Sequence, residues 1–338
     1  MTHSPTTLVE IAQAAGVSTM TVSRALNHQT GVSPKTRDRI LGLAADMGYA
    51  ANRSAQKLSS GKSRVIGLLA AEVDNPFIGA LVSGAVRAAA VSGHEVLIYA
   101  LVDHENKPRS NVLQLLQQFT DGVIALLPYQ YGFVEQLQAA QHPVITIDHR
   151  SDQNRLVSIA ADSYGGARLA LEHLASLGHK RIAFLTGDEQ LGSATERHRA
   201  FDDAVLLHGL DRSPDLVFKG DFSFHGGAEA AKKLLRMRKK PTAIFAANDM
   251  SAFGLMGGLQ SAGLRIPDDI SVVGFDDLIG AQQFHPTLTT VRQPIAEMGR
   301  AAVNTLLAQM AGLEVAMPHI SLPTSLVIRA STQALTKL

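Results

Sequence analysis

Side chains able to grip hydroxyl groups recur in this chain just past short apolar runs. Asp74-Asn75-Pro76-Phe77 follows VIGLLA, Asp148 closes VITI, Asn248-Asp249 follows AIFAA and Asp276-Asp277 follows SVVGF. Arg197 opens the stretch beyond IAFLTG, and Phe222 stands past LVFKGD. Carboxylates and amides take paired hydrogen bonds, arginine donates a fork of them, and a phenyl ring packs on an apolar C–H face. Around one concavity such groups suit a small polyhydroxylated ligand. Asp and Asn after a strand are also ordinary turn formers. Recurrence at several run ends is what points to a shared site.

The runs themselves must position these groups. Candidate strands are 65–70, 96–101, 122–127, 144–148, 157–160, 182–186, 215–219, 243–246 and 271–275. Helix-like stretches lie between most of them: 76–92, 109–119, 131–140, 164–177, 194–208, 225–237, 250–262 and 295–311. Strand–helix alternation with near-continuous apolar strands predicts an α/β body of parallel sheets covered on both faces. About ten strands exceed one comfortable domain, so two similar α/β subdomains are expected. Ligands of such sheets bind beyond the carboxyl ends of the strands, where the groups above stand.

The first 64 residues differ in charge. They hold eight basic residues against three acidic ones, a net of +5, which leaves the other 274 at −4 in a chain of net +1. A basic head on a mildly acidic body points to a polyanion partner for the head. Leu8, Ile11, Ala12 and Ala15 share one helical face, and Gly16 ends that helix. Ser18 is placed to cap a second helix, Thr19 to about Leu26, with Val22, Ala25 and Leu26 inward. Ser33 and Pro34 open a third, to about Met47, burying Ile40, Leu41, Ala44 and Met47. This is the pattern of a helix-turn-helix. Its second helix would lie in a DNA major groove, with Thr19, Met20 and Arg24 toward base edges and Thr21 and Ser23 toward phosphates.

The strings TLVEIAQAAGVSTMTVSRALN and VSPKTRDRILGLAADMGYAANRSAQKLSSGKSRVIGLL strongly resemble the lactose-repressor/galactose-repressor (LacI/GalR) family of bacterial transcription regulators. The motifs are A-G-V-S-x-x-T-V-S-R-x-L-N, V-S-x-x-T-R and G-Y-x-x-N, and the resemblance runs to about residue 334. It implies a DNA-binding domain over 1–51, a hinge helix and linker over 52–63, and an effector-binding, dimerising body over 64–338. The body would have a periplasmic-binding-protein-like fold of two lobes and three crossovers. One subdomain would span about 64–162 and 294–322, the other about 163–293 and 323–334. DNA contacts then fall on Thr7, Ser18, Thr19, Met20, Thr21, Ser23, Arg24 and Asn27, and on Asn52, Arg53, Ala55, Lys57 and Leu58 of the hinge. Leu58 would wedge a base step in the minor groove. Effector contacts match Phe77, Asp148, Arg197, Phe222, Asn248 and Asp276, with Asn75 and Gln293 as in monosaccharide-binding relatives, and Tyr129 and His149 beside them. His149 stands where ribose-type relatives carry Arg, and Ile78 where many carry a second Phe. Tetramer-forming members end in a leucine heptad; this chain ends VIRASTQALTKL, so a homodimer on a pseudo-palindromic double-stranded operator is expected.

Other chemistries are poorly served. The chain has 338 residues, ordinary globular composition and no Cys, which removes disulfides, thiolate metal sites and cysteine nucleophiles. Motifs G-x-G-x-x-G, G-x-S-x-G and H-E-x-x-H are missing. SSGKS at 59–63 ends like a phosphate loop, but Gln56 replaces its first Gly. The thirteen His show no ligand spacing. No enzyme activity, metal or cofactor is expected. Without an 18-residue apolar run or a leader signature, a cytoplasmic protein without a membrane partner is expected. The leading function is a repressor of carbohydrate-utilisation genes released by a small sugar. One alternative is a solute-binding or carbohydrate-processing α/β protein with a vestigial head. Another is a DNA-binding regulator that answers to a phosphosugar, nucleoside or purine corepressor.

Overall fold

The computed structural model describes residues 6–26, 29–49, 62–70, 73–100, 112–126, 139, 142–148, 156–313, 315 and 319–335. The chain divides into two compact units, Met1–Ser63 and Arg64–Leu338.

In the first unit α1 (Leu8–Ala15), α2 (Thr19–Leu26) and α3 (Pro34–Asp46) pack on one another. Each start is capped as its sequence dictates. Thr7 and Glu10 form a reciprocal capping box, with the Thr7 N–H donating to Glu10 Oε2 at 2.7 Å. Ser18 Oγ accepts from the Thr21 N–H at 3.1 Å, and Ser33 Oγ from the Thr36 N–H at 3.2 Å. Gly16 makes the turn into α2 at φ 62°, a conformation costly for a side chain with Cβ. Ile11, Ala12, Ala15, Val22, Ala25, Ile40 and Ala44 form the core. Leu41 is not part of it; Leu43 packs there instead. On α3 the stripe through Ile40 continues at 43, 44 and 47, while residue 41 lies about 100° around the helix.

The second unit holds two six-stranded sheets. The first runs β11-β5-β4-β3-β1-β2 (His319–Leu322, Val157–Ala161, Val144–Ile147, Gly122–Leu126, Val65–Ala70, Glu95–Ala100), all parallel. The second runs β12-β10-β9-β8-β6-β7 (Ser325–Val327, Thr289–Arg292, Ser271–Asp276, Ala243–Ala246, Ile182–Leu185, Val217–Phe218). Its edge strand β12 is antiparallel to β10, which departs from the expected all-parallel sheet. The chain passes between the sheets after β5, after β10 and after β11.

Central strands β3, β4, β8 and β9 are buried throughout, as apolar runs sandwiched by helices must be. Helices α4 (Pro76–Val91), α5 (Val112–Phe119) and α11 (Ile295–Met310) accompany the first sheet. Helices α6 (Ser163–Ser176), α7 (Gly192–Leu207), α8 (Phe224–Leu235), α9 (Asp249–Ser261) and the short α10 (Gly280–Gln283) accompany the second. The 215–219 strand shrinks to Val217–Phe218, because Pro214–Leu216 winds into a 3₁₀ turn.

Candidate functional site

In the three-helix unit, α2 turns Val22 and Ala25 inward. That leaves Ser18, Thr19, Met20 and Arg24 exposed, with Met20 at 63%. Thr21 and Ser23 are half-buried, and Thr7 is exposed at the head of α1. Arg39 donates to the Ala15 carbonyl at 2.7 Å and so fixes the end of α1 against α3. The outer face of α2 thus presents hydroxyls, a thioether and a guanidinium on a rigid support, groups that can meet base edges and phosphates. Asn27, Asn52, Arg53, Ala55, Lys57 and Leu58, and with them the hinge helix, lie outside the described residues.

In the two-sheet unit a cavity of about 70 Å³, open to solvent at its mouth, lies between the carboxyl ends of the two sheets. Asn75, Phe77, Asp148, Arg197, Phe222, Asn248, Asp276 and Gln293 all line it, brought together from positions 218 residues apart. Ile78, Leu191 and Ser193 complete the lining. Tyr129 and His149 lie outside the described residues.

Each group is held by its local structure. Asn75 caps α4, its Oδ1 accepting from the Phe77 N–H at 2.9 Å. Asn248 caps α9 in the same way, accepting from the Ser251 N–H at 2.9 Å, while its amide donates to the Phe222 carbonyl at 2.9 Å. Asp148 accepts from Ser193 Oγ at 2.7 Å. Gln293 donates to Asp276 Oδ1 at 2.5 Å. Arg197 is 3% exposed and stacks on Phe275, its guanidinium carbon 3.7 Å from the ring centroid. It donates to the Ala247 carbonyl at 2.6 Å and to Ser163 Oγ at 3.3 Å, and its Nε has no partner. The Phe222 ring lies over Gly187, where a Cβ would stand 2.0 Å from it; only glycine leaves room.

Backbone strain collects here. Asp148 (φ 54°), Phe222 (φ 65°), Asp276 (φ 131°) and Asp277 (φ 58°) occupy left-handed or neighbouring regions, which cost of order 1–3 kcal/mol each and concentrate at binding sites. Electrostatics are equally unrelaxed. Burial raises the Asp148 carboxyl, and burial pushes Asp276 up to about 7 against the pull of Arg197. Burial lowers Arg197 itself. Asp249, fully buried behind Asp276, is raised by burial and then by its neighbour's charge. It accepts from the Leu278 N–H at 2.8 Å and from Thr290 Oγ1 at 2.5 Å.

Sequence reasoning had placed neither Ser193 nor Leu191 in the site. Ser193 carried no signal beyond its position in the first turn of a helix after a strand. Among the described residues no cluster of His, Cys, Asp or Glu could hold a metal ion, and no helix is long and apolar enough to cross a membrane.

Comparison with known proteins agrees with both units. Residues 7–52 match the model of bacterial regulatory proteins of the lacI family, and 171–332 match a periplasmic binding protein-like domain. The HTH-type transcriptional regulator DegA of Bacillus subtilis is 34% identical over 98% of this chain and 99% of its own. A lac repressor dimer bound to operator and the anti-inducer ONPF superposes with a TM-score of 0.87, at 32% identity, over 98% of this chain and all of that one. A complex of the regulator CelR with cellobiose superposes with a TM-score of 0.73, at 28% identity, over 96% and 99%. With a three-helix unit followed by two crossed-over sheets, and with this identity along nearly its whole length, the chain belongs to the lacI family of bacterial transcriptional regulators and is a DNA-binding protein rather than an enzyme.

Proposed function

We propose that this protein represses carbohydrate-utilisation genes in the cytoplasm, as a homodimer on a pseudo-palindromic operator, and is released by a small uncharged sugar bound in the cleft. The observation that carries the ligand class is Arg197. It is buried and under-bonded, beneath Phe222 and between Asp148 and Asp276. A sugar diol supplies what the three lack: acceptors for the guanidinium, donors for the carboxylates and a C–H face for the ring. Asn75, Phe77, Asn248 and Gln293 frame the remaining hydroxyls, and the family resemblance adds Tyr129 and His149 as further partners. A phosphorylated ligand fits worse, since one Arg faces the carboxyl groups of Asp148, Asp249 and Asp276.

On the DNA side, Arg24, Met20 and Thr19 read bases, while Thr7, Ser18, Thr21, Ser23, Asn27, Asn52, Arg53, Ala55 and Lys57 position the backbone and Leu58 wedges the minor groove. The body leaves Val91, Leu97, Ile98, Phe224 and Ile279 exposed, apolar surface that a second copy would cover. Ligand seated between the lobes couples reciprocally to operator affinity.

A thermal-shift screen of neutral monosaccharides, disaccharides and sugar phosphates tests the reading. A neutral sugar should raise the melting temperature and release selected operator DNA. Stabilisation by sugar phosphates alone would reject it.

A further inference from the structure

Six of the nine residues from Lys232 to Lys240 are basic: Lys232, Lys233, Arg236, Arg238, Lys239 and Lys240. They form the last turn of α8 and the turn into β8, and all six are exposed. This is the end of the second sheet away from the cleft, where its strands begin. Arg181, just before β6, donates to the Lys239 carbonyl at 3.2 Å and ties the turn down. The Asp211 N–H donates to the Lys180 carbonyl at 2.8 Å, so exposed Lys180 and Arg212 join the same end.

The acids nearby are already engaged. Asp211 and Asp215 bridge Arg181 at 2.6 and 3.0 Å. Asp268 and Asp269 bridge Arg265 at 3.2 and 3.1 Å, and Glu229 pairs with Lys232 at 2.6 Å. Among the described residues Lys180, Arg212, Lys233, Arg236, Arg238, Lys239 and Lys240 have no carboxylate within 4.0 Å.

We propose that this basic end of the body binds the phosphate backbone of a duplex DNA segment, a contact separate from that of the three-helix unit. The body outside the first 64 residues is net negative, so these cations are concentrated against its overall sign and would steer a polyanion to one place. The patch lacks what a protein partner needs. Between its cations stand only Leu234, Leu235 and Met237, buried or half-buried in the core, with no exposed aromatic anchor. Flexible Lys and Arg without apolar anchors match sequence-independent phosphate contact.

The test uses the full chain and a short duplex of random sequence. The slope of log affinity against log salt should become shallower by about 3 to 4 in a variant carrying Lys233→Glu, Arg236→Glu, Arg238→Glu and Lys240→Glu. The four glutamine replacements, gentler on folding, should give the same direction. An unchanged slope in both would overturn the proposal. Because the chain has no Cys, Arg238→Cys takes a photocrosslinker at a single site, which should capture the duplex at low salt; no capture would also overturn it. Capture of polyglutamate with an unchanged duplex slope would assign the surface to an acidic protein instead.

Discussion

Arg181 and Arg197 are buried to a similar degree, 8% and 3% exposed, Arg181 just before strand β6 and Arg197 on α7 beyond its other end. Arg181 meets Asp211, Asp215, Ser213 and the Lys239 carbonyl, at 2.6 to 3.2 Å, and its Nε, like that of Arg197, has no partner, so the difference lies in the counter-ions. Arg197 meets one carbonyl, one hydroxyl and a ring, and no carboxylate comes within ion-pair distance among the described residues. Neither Asp211 nor Asp215 has a positive φ, whereas Asp148 and Asp276 beside Arg197 do. A cation that holds loops together has its counter-ions fixed in hydrogen bonds. Arg197 is instead kept in place by neutral groups, and Asp148 and Asp276 near it take their hydrogen bonds from neutral Ser193 and Gln293. The unrelaxed end is the one to which the proposed function assigns the ligand.

The sharpest way to break this comparison is Arg181→Met. Removing one partner of a multiply bonded buried cation should lower stability by about 3 kcal/mol, read as a shift in denaturant midpoint at unchanged slope. Affinity for the effector should stay as it was. Arg197→Met should do the reverse. Effector affinity should fall roughly 10- to 100-fold, about 1–3 kcal/mol, with ligand-free stability unchanged or raised, because an incompletely satisfied charge leaves the interior. Operator binding without ligand should persist. Equal loss of stability in the two variants would mean that Arg197 is structural after all.

The lining of the candidate cleft was largely legible because its residues are also turn and cap residues. Asn75 and Asn248 cap helices, and Asp148 and Asp276 end buried strands, so an apolar run followed by a polar residue gave each position away. Ser193 was not, because its value lies in a hydroxyl turned to a carboxylate 45 residues earlier. Strand β10 escaped for a related reason. Thr289 and Thr290 are fully buried yet polar, their hydroxyls matched to Thr332 and Asp249 rather than to a repeating pattern. Strands β11 and β12 are short and half-exposed, with two residues between them, so periodicity had nothing to act on. The basic turn at 232–240 was hidden within the body's net negative charge, and the engagement of its acidic neighbours by Arg181 and Arg265 is visible only in the folded chain.

The finest contrast is in pH. Hydrogen bonds from Ser213 and then Arg181 hold the Asp211 carboxyl down to about 2, below its ordinary 3.8. A depressed carboxyl stabilises the folded state above its unfolded pKa, and that contribution disappears as pH falls through the folded value. Asp211→Asn should therefore be less stable than the parent at neutral pH, by no more than about 1 kcal/mol for a group partly screened by solvent. The gap should begin to narrow below about pH 4 and close near about pH 2. Asp276 is the opposite case, raised by burial to about 7. The folded state keeps a proton that the unfolded chain releases near 3.8, so the parent loses stability as pH climbs between the two values. Asp276→Asn does not titrate there, and its stability relative to the parent should rise across that window. Midpoint differences for the two variants, followed from about pH 2 to about pH 8, should thus move in opposite directions as pH rises: downward for Asp211→Asn over the acid part, upward for Asp276→Asn toward neutrality. A flat difference for Asp276→Asn would mean that its carboxylate stays ionised through strong pairing. The cleft would then be as relaxed as the Arg181 cluster, and the contrast between the two ends of the lobe would fail.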